Sequence, residues 1–296
     1  MRVFITGGSG LIGSKFVREF FKLGAGTYYT YLSRDSTVDK GVPMKLDVSD
    51  RESTMHYILG ARPDLVIHCS SITNVDLCET DPKLAHEVNV QGTQNVVDAC
   101  KAANSKIIFM SSSFVFSGKK EFYTEEDEPD AINVYGRNKA DGERIVRESG
   151  LPYMIFRTDQ PYRWSPKHVQ KNNVMRLIGL FEKGQPFKEV VDWYNNPTLV
   201  DNLVDVAKRL MVDWEDGIYH TVGSDFVSRY DVATTVADAM GAKRELIVKM
   251  SSNDLKLPAN RPNVRMSNEK VRKKTGLKML GIKEGVDLVM QQRKNG

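Results

Sequence analysis

The chain has 296 residues, with 42 Lys/Arg against 38 Asp/Glu and 41% hydrophobic residues. That length suits one large domain or two ordinary ones, and the composition excludes a disordered chain, a coiled coil and a disulfide scaffold. The net charge of +4 is too small for a dedicated nucleic-acid binder.

The first half alternates short apolar runs with helical periodicity. Residues 2–6 read as a buried strand, and residues 11–23 as a helix with Phe16, Phe20 and Leu23 on one face. Residues 27–32 are β-branched and aromatic, hence a strand. A short strand at 44–46, a helix at 51–59 and a strand at 64–68 follow. Asp81-Pro82 predicts an N-cap and first-turn proline for one helix to about residue 103. Residues 106–111 and 152–157 read as strands around a helix at 133–149. This alternation predicts an α/β fold, a Rossmann-type doubly wound parallel sheet covered on both faces. It weakens after Arg157. We therefore expect a dinucleotide-binding domain over 1–157 and a smaller α/β substrate-binding domain over 158–296. Within the second, residues 243–278 carry eleven Lys/Arg against three Asp/Glu, a net +8. This segment is either a solvated face or a surface turned towards an anionic substrate.

Thr6-Gly7-Gly8-Ser9-Gly10-Leu11-Ile12-Gly13 joins the first strand to the first helix. It satisfies G-x-G-x-x-G and also T-G-x-x-G-x-x-G. Glycines there let the backbone turn tightly and approach a pyrophosphate, which the helix N-terminus attracts. Gly7, Gly10, Leu11, Ile12 and Gly13 are the expected dinucleotide cradle. The second strand runs into Leu32-Ser33-Arg34-Asp35. Ser33 and Arg34 suit a 2′-phosphate and favour NADP(H), while Asp35 keeps NAD(H) as the alternative. Asp47 and Val48 close the third strand, either against an adenine ring or as a helix-start pair with Asp50.

Tyr135 and Lys139 form a Y-x-x-x-K pair on one helix face. An ammonium so placed is expected to lower the tyrosine pKa and fit it for proton transfer. Ser112 stands in the serine-rich stretch 111–118 after a strand end, where parallel sheets bind ligands. It is either a second donor to a carbonyl or part of a solvated loop. His68 ends a buried strand, and His56, His86, His168 and His220 lack ligand spacing, so no metal is expected.

In motif order and spacing the chain resembles the extended short-chain dehydrogenase/reductases. Within them it is most similar to the dTDP-4-dehydrorhamnose reductase group. Segments 68–76, 88–93 and 217–220, and Arg261-Pro262 with Arg265-Met266, carry that likeness. The resemblance implies Ser112, Tyr135 and Lys139 as the catalytic set, supported by Asn89, with Tyr135 and Lys139 also touching the cofactor. It further implies Cys69, Ser70 and Ser71 at the cofactor, and Asn74, Ser113, Phe114, Gln160 and Arg261 at a nucleotide-sugar substrate. Arg261 and Arg265 read equally as diphosphate ligands or as surface ion pairs. Part of about 187–212 is expected to cross back to the first domain.

The implied reaction is NADPH-dependent reduction of the 4-keto group of a nucleotide-linked deoxysugar. Two segments depart from the family. S-T-D-Y-V-F-D-G becomes Ser111-Ser112-Ser113-Phe114-Val115-Phe116-Ser117-Gly118, and R-T-S-W-V-Y-G becomes Arg157-Thr158-Asp159-Gln160-Pro161-Tyr162-Arg163. The catalytic trio is intact and the sugar-recognition shell is altered. Ser113-Phe114 replaces the Asp-Glu of the 4,6-dehydratases, and Arg34 argues for a reductase over an NAD-retaining sugar-nucleotide epimerase, which stays as an alternative. A non-catalytic alternative is a regulatory subunit, because residues 135–143 also resemble the methionine adenosyltransferase β subunit. Cys69, Cys78 and Cys100 make no C-x-x-C pair and read as reduced thiols. No apolar run reaches the roughly 18–20 residues of a membrane span. A cytoplasmic protein without a membrane or nucleic-acid partner is expected, and a homodimer is compatible with this reading.

Overall fold

The computed structural model describes residues 1–33, 38–165 and 172–295. Its centre is a seven-stranded sheet of β1 (Arg2–Thr6), β2 (Gly26–Tyr31), β3 (Val42–Lys45), β4 (Leu65–His68), β5 (Lys106–Ser112), β6 (Tyr153–Thr158) and a last strand, Gly217–His220. The order across the sheet is Gly217–His220, β6, β5, β4, β1, β2, β3. Every neighbouring pair is parallel. β4 is buried along its whole length, so Leu65-Val66-Ile67-His68 shows no polar alternation. The order reverses between β1 and β4, and a crevice opens beyond the carboxyl ends of such strands.

Among the described residues the first half carries six α-helices: α1 (Gly13–Lys22), α2 (Arg51–Ala61), α3 (Val75–Thr80), α4 (Pro82–His86), α5 (Gly92–Ala103) and α6 (Val134–Arg147). On one face, Phe16 and Phe20 of α1 pack with Val3, Ile5 and Ile67, together with Val204 and Ala207 of a later helix, Val200–Val212. On the other face, Ile58 of α2 and Val96 of α5 pack against Phe4, Val66 and Ile107. Both faces are thus covered, as the alternating pattern predicts.

The single helix expected from Pro82 to residue 103 is interrupted. A π-helical turn, Glu87–Gln91, separates α4 from α5. Asp81 does cap the start, accepting from the Leu84 N–H at 3.0 Å. α3 has only six residues, too few to impose a periodicity on the sequence.

Beyond β6 the helices Asn173–Lys183, Arg229–Met240 and Ile282–Asn295 gather around Leu177, Phe181, Val236 and Val286. Strands Phe187–Val190 and Ile247–Met250 pair in parallel beside them. Between these elements, Val200–Val212 and Gly217–His220 return to the central sheet. Among the described residues no helix is long and apolar enough to cross a membrane.

Candidate active site

A cleft of about 790 Å³ lies over the carboxyl ends of the central strands, within the size range of small-molecule sites. The glycine turn forms one wall. Gly7 has φ +63°, a conformation that favours glycine. Its N–H donates to Thr30 Oγ1 at 3.0 Å. A Cβ on Gly13 would stand 2.3 Å from the Gly7 carbonyl oxygen, so the turn and the start of α1 close only with glycine there. Among the described residues no side chain caps α1, and an uncapped helix start of this kind suits an anionic ligand. Gly7, Gly10, Leu11, Ile12, Gly13, Ser33, Asp47, Val48, Cys69, Ser70 and Ser71 all line this part of the cleft. A nicotinamide dinucleotide therefore fits the residues present. Arg34 lies outside the described residues.

The opposite wall carries Ser112 at the end of β5 and Tyr135 and Lys139 on one face of α6. Asn133 caps α6 by accepting from the Gly136 N–H at 2.7 Å. Lys139 Nζ donates to the Met110 carbonyl at 3.0 Å and lies 5.1 Å from the centre of the Phe109 ring. Burial lowers its pKa to about 8. Phe114 meets Tyr135 edge to face, with ring centres 6.1 Å apart.

The expected lowering of the Tyr135 pKa is overturned. Burial raises the phenol well above its usual range, and a hydrogen bond with Ser112 only partly offsets this. The Lys139 Nζ stands 5.9 Å from the Tyr135 ring centre and spends a donor on Met110, so desolvation dominates. Tyr135 in this state is a neutral phenol.

Asn89 lies behind the wall. Its carboxamide oxygen accepts from Ser71 Oγ at 2.9 Å and the Ile72 N–H at 2.8 Å, and its nitrogen donates to the Ile72 carbonyl at 3.1 Å. The π-turn that interrupts the helix aims it there, so Asn89 shapes the 71–72 loop and leaves the cleft itself to others. Phe114 and Gln160 line the cleft, while Asn74, Ser113 and Arg261 do not. Asn74 caps α3. Ser113 is buried and donates to Asp159 Oδ1 at 3.0 Å. Arg261 pairs with Asp76 at 2.7 Å, which realises the ion-pair reading of that residue.

The basic segment also faces elsewhere. Arg265, Arg272, Lys273 and Lys278 line a separate groove of about 710 Å³, so the +8 segment does not wall the catalytic cleft. Two arginines beside the cleft were not foreseen: Arg176 and Arg229 donate to Asn173 Oδ1 at 2.9 and 2.7 Å, and Asn173 is in the lining. Arg229 and Arg261 both stack on Trp193. Arg163 was missed too. Its Nε donates to the Leu11 carbonyl at 3.0 Å and its Nη2 to Ser14 Oγ at 2.7 Å, tying the second half to the glycine turn. No sequence motif links residues about 150 positions apart, so only the fold brings them together.

A doubly wound sheet with a glycine turn facing a Ser–Tyr–Lys wall defines an extended short-chain dehydrogenase/reductase. The chain belongs to the family described as the RmlD substrate binding domain, whose pattern matches residues 1–295. It is 30% identical over 247 residues to methionine adenosyltransferase 2 subunit beta of Mus musculus, covering 80% of this chain and 72% of that protein. It is 29% identical to the dTDP-4-dehydrorhamnose reductase of Mycolicibacterium smegmatis, covering 88% and 76%. The crystal structure of dTDP-4-dehydrorhamnose reductase from Bacillus anthracis in complex with NADP superposes with a TM-score of 0.88 at 26% identity, covering 98% and 99% of the two chains.

Proposed function

We propose that the protein uses NADPH to reduce the 4-keto group of a nucleotide-linked sugar. The observation that carries this reading is the meeting of Ser112, Tyr135 and Lys139 in one wall of the cleft opposite the glycine turn. In the proposed division of labour, residues 1–157 hold the dinucleotide and residues 158–296 present the sugar nucleotide. The backbone of Gly7 to Gly13 cradles the diphosphate, and Ser33 with Arg34 holds a 2′-phosphate. Bound there, the nicotinamide supplies a hydride. Tyr135 keeps its proton because its site disfavours the phenolate, and it gives that proton to the carbonyl oxygen as negative charge develops. Ser112 orients the Tyr135 hydroxyl and is placed to polarise the same oxygen. Lys139, anchored on Met110, holds positive charge beside the cofactor ribose. Arg176 and Arg229, which share Glu189 and bond the lining residue Asn173, add positive charge that favours a substrate with an anionic diphosphate, which stays attached to the sugar throughout.

The test is loss of NADPH absorbance on mixing protein, NADPH and a dTDP-4-keto-6-deoxy sugar, with other keto-sugar nucleotides as a panel. The likeness to methionine adenosyltransferase 2 subunit beta favours one second reading, a cofactor-binding subunit that acts through a partner. Absence of oxidation across the panel, with a methionine adenosyltransferase co-purifying, decides for that reading.

A further inference from the structure

The end of β6 carries polar capacity that the protein does not use. Thr158 Oγ1 is buried and, among the described residues, has no hydrogen-bond partner, yet Thr158 lines the cleft. Gln160 lines it too, and among the described residues its carboxamide makes no hydrogen bond. Gln160 also has φ +38°. A non-glycine residue in that region is strained, and such strain collects at functional sites.

Asp159 between them holds the arrangement. Its carboxylate accepts from Ser113 Oγ at 3.0 Å and from the Asn196 N–H at 2.8 Å, and also from the Asn195 side chain and the Gln160 backbone N–H. A carboxylate has roughly four lone-pair sites, so protein donors fill it. The Thr198 N–H donates to the Gln160 carbonyl and Thr198 Oγ1 accepts from the Asp159 N–H, both at 3.4 Å. Asp159 is therefore a positioning residue that clamps a strained Gln160. Thr158 and Gln160 are the groups left to bind.

The geometry points to Thr158 and Gln160 as a polar sugar-reading pair, and to a 4-keto sugar nucleotide that keeps its C6 hydroxyl in place of a 6-deoxysugar. This rests on the reductase reading above. Ser112 and Thr158 are register partners on neighbouring strands and share the cleft lining with Tyr135 and Gln160, so a sugar whose keto oxygen meets Tyr135 and Ser112 turns its C5 side, with C6, to the end of β6. A C6 methyl would bury a hydroxyl and a carboxamide without partners, whereas a C6 hydroxyl both donates and accepts. Sites built to hydrogen-bond a hydroxyl discriminate strongly against ligands that lack it.

The experiment is calorimetric titration of the NADP⁺-loaded protein with dTDP-glucose and dTDP-6-deoxyglucose, repeated with the UDP pair. Each pair shares its nucleotide, so the ratio reads the sugar alone. The 6-hydroxylated sugar is expected to bind at least about tenfold more tightly. Thr158→Val and Gln160→Gly bring the ratio towards one, and glycine tolerates the positive φ. Asp159→Asn lowers the ratio with NADP⁺ affinity unchanged, which a general loss of stability would not produce. Equal binding of both sugars, or a ratio that survives Thr158→Val and Gln160→Gly, overturns this proposal and leaves the reductase reading intact. If NADP⁺ binds and no sugar nucleotide does, the reductase reading fails and this one with it.

Discussion

Arg157 of β6 and Glu143 of α6 form a bidentate ion pair, Nε to Oε1 at 2.9 Å and Nη2 to Oε2 at 2.7 Å, with side chains 1% and 0% exposed. Ser111 Oγ donates to the same Glu143 Oε1 at 2.5 Å, and Arg157 Nη1 lies 3.4 Å from His220 Nε2. Glu143 sits one turn beyond Lys139 and two beyond Tyr135, so this pair pins α6 to three strands of the sheet.

Removing one partner leaves the other charge buried and unpaired. Glu143→Gln should cost about 3–5 kcal/mol of stability, measured by denaturant unfolding. A loss below about 1 kcal/mol would show that the pair contributes little to folding. Residual activity in the surviving folded protein should fall as well, because α6 loses its anchor beneath Lys139.

Tyr135→Phe should reduce turnover at least about 100-fold with NADPH affinity nearly unchanged, checked by single-turnover oxidation and cofactor fluorescence. Turnover at the parent level would remove Tyr135 as the proton donor.

Acid should destabilise the fold through two buried histidines. Burial holds His68 at about 3, with Lys139 adding to the effect. Burial, then Arg157, holds His220 at about 3. Both lie below an unfolded value of about 6.5, so the unfolded chain binds more protons and stability is lost as pH falls from about 6.5 towards 3. At pH 5 each histidine costs about 2 kcal/mol relative to neutral pH. Asp159 acts in the opposite sense: burial lifts it to about 6, so the folded state gains protons between about 6 and 4 and recovers about 1 kcal/mol at pH 5. Urea midpoints should therefore drop between pH 7 and 5. A midpoint that holds or rises would contradict the neutral, buried state of these imidazoles.

Arg163→Ala should weaken dinucleotide binding roughly tenfold, the worth of about 1.5 kcal/mol for hydrogen bonds from a charged donor. The guanidinium holds Leu11 and Ser14 at the start of α1. Equal dissociation constants for variant and parent, read by fluorescence titration, would confine Arg163 to the fold.

Arg34→Ala should weaken NADPH much more than NADH, since only the former carries a 2′-phosphate. Equal losses for the two cofactors would reject the NADP(H) preference. This expectation stands on the sequence alone.

The strand–helix alternation, the glycine turn and the Tyr135–Lys139 spacing were legible in the chain because each is a local pattern. A strand buried on both faces, a turn that admits no Cβ and two side chains one helical turn apart each leave a short-range signature. The interruption at Glu87–Gln91 was not legible, because a π-turn adds one residue to a helix without changing its composition. Nor were the placements of Arg261 and the +8 segment, since linear charge does not say which way a surface faces.

The sequence by itself determined the class of fold, and its local spacing put forward the glycine turn from Gly7 to Gly13 and the Ser112, Tyr135 and Lys139 set as candidates. Tertiary structure alone decided what surrounds them. It set the direction of the Tyr135 pKa, because desolvation depends on burial. It paired Arg157 with Glu143, brought Arg163 to Leu11, and set the Thr158 hydroxyl, without a hydrogen-bond partner among the described residues, in the same cleft lining as Gln160 and Tyr135. Those relationships join residues far apart in the chain, and only packing brings their atoms within reach.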